Sequence, residues 1–93
     1  MKEQHTKIRG YRDLSQEEIN LMNEIKLQGE VLQKLCNKID EHQTQQCQKA
    51  YNDQDEMKRI VDAEVPKWLH KGKESIQEGI MFLVRAVAQP TTF

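Results

Sequence analysis

The chain has 93 residues and a formal net charge of −1, with 31% charged and 37% hydrophobic residues. That length bounds it to one domain, and the near-neutral charge excludes the broad cationic face that general nucleic-acid coating requires. One tryptophan, two tyrosines and two phenylalanines are few for a self-contained core, and four glycines and two prolines suit long amphipathic helices better than a sandwich or barrel.

Residues 1–12 are polar, with Ile8 as the clear apolar anchor, and read as a short helix or an ordered arm. The arm carries Lys7, Arg9 and Arg12 around Gly10 and Tyr11. "DLSQEEI" follows. Ser15 with Glu18 three residues later is a capping box, in which each side chain satisfies a free backbone N–H at a helix start. Asp13, Glu17 and Glu18 suit the positive end of the helix dipole.

The first long helix is predicted over 15–48. Its apolar positions run Met22, Ile25, Gly29, Leu32, Cys36 and Ile39, in steps of three and four that form a heptad seam. Leu21, Gln28 and Leu35 run alongside, and Val31 widens the stripe. The segment from Asp40 to Glu56 is polar on every face and reads as the frayed helix end plus a turn near Tyr51 to Asp53. A second helical pattern covers 54–89, through Met57, Ile60, Val61, Val65, Trp68, Leu69, Ile76, Ile80, Leu83, Val84 and Val87. Pro66 interrupts it, which predicts a kink or break around Asp62 to Val65. Gln89 and Pro90 end it, and "TTF" forms a tail. The fold class is therefore all-α: a short N-terminal helix or arm plus two long antiparallel helices in a single domain, 1–93. A two-helix hairpin has one neighbour per helix but two apolar flanks. The width of both stripes predicts that a second copy of the chain covers the remainder.

The chemistry of the chain points to binding. His5, His42 and His70 are scattered, and no C-x-x-C or H-x-x-x-H spacing for a metal exists. Cys36 and Cys47 lie eleven residues apart on one helix, roughly 16 Å of rise, too far for a bridge. They read as reduced thiols. There is no phosphate-binding glycine loop and no activated nucleophile, so an enzyme and a metal or cofactor requirement are not expected. No signal peptide is read at the N-terminus, and "IMFLV" is too short to span a bilayer. The basic arm, in contrast, offers an anion a ring of cations beside a helix N-terminus, with Tyr11 as a flat face for a base. Lys26 adjoins the Ile25 position and can snorkel or reach into an interface. A second basic group, Lys67, Lys71 and Lys73, surrounds Trp68, which is expected in the core. On composition alone, a solvated basic arm is the favoured explanation of the first cluster.

"HTKIRGYRDLS", "LMNEIK" and "GIMFLVRAVAQPTTF" together resemble a family of small tailed-phage proteins, the anti-CBASS sponges. These sequester the cyclic oligonucleotides that bacterial immune cyclases make on infection. The resemblance spans both ends of the chain, and the middle from Glu41 to Glu56 matches nothing familiar. It implies an all-helical protein assembled as a homohexamer in the cytoplasm of the infected host. It also implies non-enzymatic binding of cyclic dinucleotides such as cGAMP in pockets shared between protomers. The family's stacking tyrosine falls on Tyr11 and its phosphate-contacting lysine on Lys26; beside them Arg9 and Arg12 would add attraction for the incoming dianion, and Gly10 would let the backbone approach the ligand or supply a positive φ angle. Some members also bind cyclic trinucleotides, at a separate pocket that uses an arginine before the tryptophan. Here that position is Lys67, which keeps the charge and loses the planar fork. Pro90 and Thr91 would line it. Neither duplex nucleic acid nor a membrane is an expected partner. The alternative is a coiled-coil adaptor built on the Met22–Ile39 seam.

Overall fold

The computed structural model describes residues 12–92. Every regular element among them is an α-helix: α1 (Gln16–Lys49), α2 (Gln54–Asp62) and α3 (Val65–Ala88). No helix among the described residues is long and apolar enough to cross a membrane.

The capping box forms. The Ser15 hydroxyl accepts from the Glu18 amide at 3.2 Å, and the Glu18 carboxylate accepts from the Ser15 amide at 2.8 Å. Both groups thus satisfy donors that the start of α1 would otherwise leave open. The helix then persists through the polar stretch to Lys49 before a turn at 50–52. Ala50 closes that turn: it is buried, and its carbonyl accepts from the Asp53 amide at 2.9 Å. Asp53 in turn caps α2, accepting from the Glu56 amide at 3.1 Å.

The interruption expected near Pro66 is a complete break. Glu64 adopts φ 53°, the left-handed region, and separates α2 from α3. Its carbonyl accepts from the Lys67 and Trp68 amides at 3.1 and 3.2 Å and so opens α3. Pro66 then occupies the first turn of α3, where a missing N–H leaves no bond unmade. At the other end, Gln89 at φ 50° donates its amide to Arg85 O at 2.8 Å, and Pro90 prevents continuation.

The chain divides into two compact units. Of the described residues, one unit holds 12–29 and 77–92. Its helical halves run antiparallel, since Arg12 meets Val87 and Ala88 while Gly29 meets Ile80. Gly29 makes that crossing close: a β-carbon there would stand 3.4 Å from the Ile80 side chain. The other unit, Glu30–Ile76, holds the rest of α1, α2 and the start of α3. Its core is Cys36, Ala50 and Ile60, the buried apolar residues among those described.

The seam predicted along α1 faces inward: Met22, Ile25, Gly29 and Leu32 are half-buried and Cys36 is buried, while Ile39 stands at its margin. Much else stays outside. Leu27, Met81, Phe82 and Leu83 are exposed in the first unit, and Val31, Leu35, Val61 and Trp68 in the second. Trp68, expected in the core, is 57% exposed. Val65, Leu69 and Ile76 take the inward positions at helical spacing, and Trp68, one residue before Leu69, falls on the flank of that stripe.

Candidate functional site

Of the residues assigned to a dinucleotide pocket, Arg9, Gly10 and Tyr11 lie outside the described residues, while Arg12 and Lys26 lie within them. Both fall in the first unit.

Arg12 sits between the start of α1 and the end of α3, and its guanidinium is engaged on three sides. Nη2 donates to Glu18 Oε2 at 2.6 Å and to Val87 O at 3.0 Å. Nε donates to Ala88 O at 3.1 Å, and Nη1 to Glu18 Oε1 at 3.2 Å. The two carbonyls are among the last of α3, where no intrahelical donor remains and the dipole is negative. A cation is therefore well matched to that end. The hydrogen bond with Glu18 raises the Arg12 pKa further, and the same bond, reinforced by the Ser15 amide, lowers the Glu18 carboxyl from about 4.5 to about 2. The charge expected to attract an anion is thus already paired, and each nitrogen of the fork has a partner within the chain.

Lys26 is the opposite case. It lies on α1 beside the half-buried Ile25 and is exposed. Among the described residues it makes no ion pair or hydrogen bond, so its ammonium is available. From Glu18, which holds Arg12, the helix rises roughly 12 Å to Lys26.

The residues assigned to a trinucleotide pocket fall in different units. Lys67, in the second unit, has its ammonium 4.9 Å from the Trp68 ring centroid and 3.8 Å from the Glu64 carboxylate. An exposed cation–π contact of this kind contributes about 0.5–1 kcal/mol. Pro90 is half-buried and Thr91 exposed, both just past the end of α3 in the first unit. Arg85, not singled out from the sequence, donates from Nη2 to Thr92 O at 3.0 Å and ties this tail to α3. Its signal was the proline after a helix end, which turns the chain back within reach of the last helical arginine.

The second unit also holds a cavity of about 290 Å³. Its walls include Leu32, Cys36, Ile39, Trp68, Leu69 and Ile76, with Lys73 as the charged residue at its lining. No cluster of His, Cys, Asp or Glu among the described residues could hold a metal ion.

The chain matches the family model described as "Acb2/Tad1, hairpin domain" over residues 4–88. It is also 35% identical to "Anti-CBASS protein 2" of Pseudomonas phage JBD67, in an alignment that covers 97% of each chain.

Proposed function

The chain belongs to the Acb2/Tad1 hairpin-domain family, and on that premise we propose that it counters CBASS antiphage immunity by holding cyclic oligonucleotide signals without cleaving them. The observation that carries this reading is the 35% identity to an anti-CBASS protein across 97% of both chains. The match to the family model begins at residue 4 and so takes in the basic arm, Tyr11 and Lys26.

The site chemistry supports it. A cyclic dinucleotide presents two phosphates and two bases on a compact ring. Capture calls for an aromatic face, a cation directed at phosphate and apolar walls that exclude water. Tyr11 supplies the face, Lys26 the ammonium, and Arg9 further attraction for the dianion. Gly10 admits the ligand close to the backbone. The working protein is a homo-oligomer in the cytoplasm of the infected cell, with the pocket closed by a second copy. The exposed Leu27, Met81, Phe82 and Leu83 supply apolar surface for that contact. Lys67, Pro90 and Thr91 are the residues for a second pocket of the cyclic-trinucleotide class. There Lys67→Arg should strengthen binding by restoring the two-point fork.

Calorimetry with cyclic GMP–AMP, followed by heat denaturation and recovery of the ligand, tests the proposal. Intact ligand is expected, and altered ligand would make the protein an enzyme. Tyr11→Ala and Lys26→Ala should each abolish capture and leave the assembly in place; unchanged affinity in both would end the site assignment. A coiled-coil adaptor is the second reading, favoured by the exposed Val31 and Leu35 on α1. It predicts no heat with any cyclic nucleotide and no effect of Lys26→Ala.

A further inference from the structure

We propose that Glu64 is a specificity-determining residue: its carboxylate neutralises Lys67 and so biases the chain against cyclic trinucleotides and toward cyclic dinucleotides. This deepens the second-pocket reading above and rests on it.

Three observations carry it. First, the cation of that pocket is already paired. The Lys67 ammonium stands 3.8 Å from the Glu64 carboxylate and 4.9 Å from the Trp68 ring centroid. The other lysines around Trp68, Lys71 and Lys73, make no ion pair among the described residues, and neither does Lys26 on α1. The lysine assigned to the dinucleotide is thus free of an acidic partner, and the one assigned to the trinucleotide is not.

Second, the glutamate sits where a side chain is a burden. Glu64 holds φ 53° at the break between α2 and α3. A β-carbon is crowded in the left-handed region, which glycine occupies without strain. The turn itself is made by main-chain atoms. The Glu64 carbonyl accepts from the Lys67 and Trp68 amides, and its amide donates to Val61 O at 3.1 Å. Glycine would make the same bonds. An exposed ion pair contributes less stability than the left-handed backbone costs a residue with a β-carbon. Stability therefore does not account for a glutamate here; what it adds is a negative charge at Lys67. Third, Glu64, Lys67 and Trp68 are all exposed. A phosphate that approaches the Lys67 ammonium meets the carboxylate with it, and like charge opposes the approach. The dinucleotide, held through Lys26, has no such carboxylate to displace.

Trp68 is the sole tryptophan of the chain, so its emission reads this place directly. Glu64→Gln removes the charge and keeps the side-chain length. Titration of Trp68 emission with cyclic tri-AMP should show affinity about three- to fivefold tighter than in the parent, the scale of one exposed ion pair. Calorimetry with cyclic GMP–AMP should show no change. In a Lys67→Ala background the gain should vanish. Iodide supplies a ligand-free readout: as an anion it should quench Trp68 more strongly in Glu64→Gln, while neutral acrylamide quenches both proteins alike. Glu64→Gly should bind as Glu64→Gln does and melt no lower than the parent. Equal or weaker trinucleotide affinity in Glu64→Gln, a gain that persists without Lys67, or iodide quenching that does not move overturns the proposal. A ring that neither quencher reaches overturns it too, by placing a second copy over Trp68. A lower melting temperature in Glu64→Gly makes the glutamate structural, with the same result. If neither the parent nor Glu64→Gln responds to cyclic tri-AMP while iodide quenching rises, the second pocket is refuted and the specificity claim falls with it, and the neutralisation of Lys67 stands.

Discussion

Phe82→Glu should take apart the homo-oligomer proposed above. Phe82 is 62% exposed, between exposed Met81 and Leu83, in a run from Ile80 to Val84 that is apolar on every side of α3. A helix apolar all round is ordinarily covered on all sides. Full burial of a phenylalanine contributes ~1.5–3 kcal/mol, so the exposed fraction holds roughly 1–2 kcal/mol per chain once a second copy covers it. A glutamate forfeits that gain and brings a carboxylate whose burial costs several kcal/mol. The combined loss is on the order of 4 kcal/mol per copy, or about a thousandfold in the association constant. Sedimentation equilibrium and native mass spectrometry read this directly, with circular dichroism confirming that the helices remain. Two results would refute the reasoning: a parent protein that is monomeric at micromolar concentration, or a Phe82→Glu variant that assembles with the parent's constant.

Three further outcomes are expected. The Glu18 carboxyl is held at about 2 against an ordinary 4.5, chiefly by its hydrogen bond with Arg12. Its contribution to stability is therefore complete above about pH 4.5 and fades as the pH falls toward 2. The difference in melting temperature between the parent and Glu18→Gln should shrink over that window, and a constant difference would contradict the pairing. Ser15→Ala removes the hydroxyl that caps α1 and should cost about 1 kcal/mol in denaturant unfolding; no change would mean that the capping bonds at Ser15 contribute nothing. Gly72→Ala places a β-carbon with no atom within 4 Å and should raise stability by about 1 kcal/mol through helix propensity alone. A loss there would show that a second chain covers this face.

Local chemistry made much of this fold legible. The Ser15–Glu18 box needs only four consecutive residues and nearly free donors, so it could be read before any tertiary contact was known. The three-and-four spacing from Met22 to Cys36 marked the inward face because burial repeats with the helix. Pro66 announced a break because its ring and missing N–H conflict with any helix running through it. What escaped was what depends on distant partners. Arg12 looked like a free cation, since nothing nearby in sequence reveals that the carbonyls of Val87 and Ala88 come to meet it. Trp68 was expected inside because a large aromatic usually is. It lies on the flank of the half-buried stripe of Val65, Leu69 and Ile76 and stays exposed. The polar stretch from Glu41 to Lys49 shows no apolar stripe, yet the helix continues, held at its far end by the small buried Ala50. Of the site, Lys26 stands exposed on α1, and the stretch holding Tyr11 lies outside the described residues.

The two thiols also turn the second unit into its own stopwatch. Cys47 is exposed on the outer surface of α1, whereas Cys36 is only 7% accessible. A maleimide should label Cys47 on mixing and reach Cys36 only when the packing between α1 and its neighbours breathes open. The lag between the two reactions reports how often that happens. A bound nucleotide that lengthened the lag would reveal, without any engineered probe, whether occupancy at one end of the chain is felt at the other.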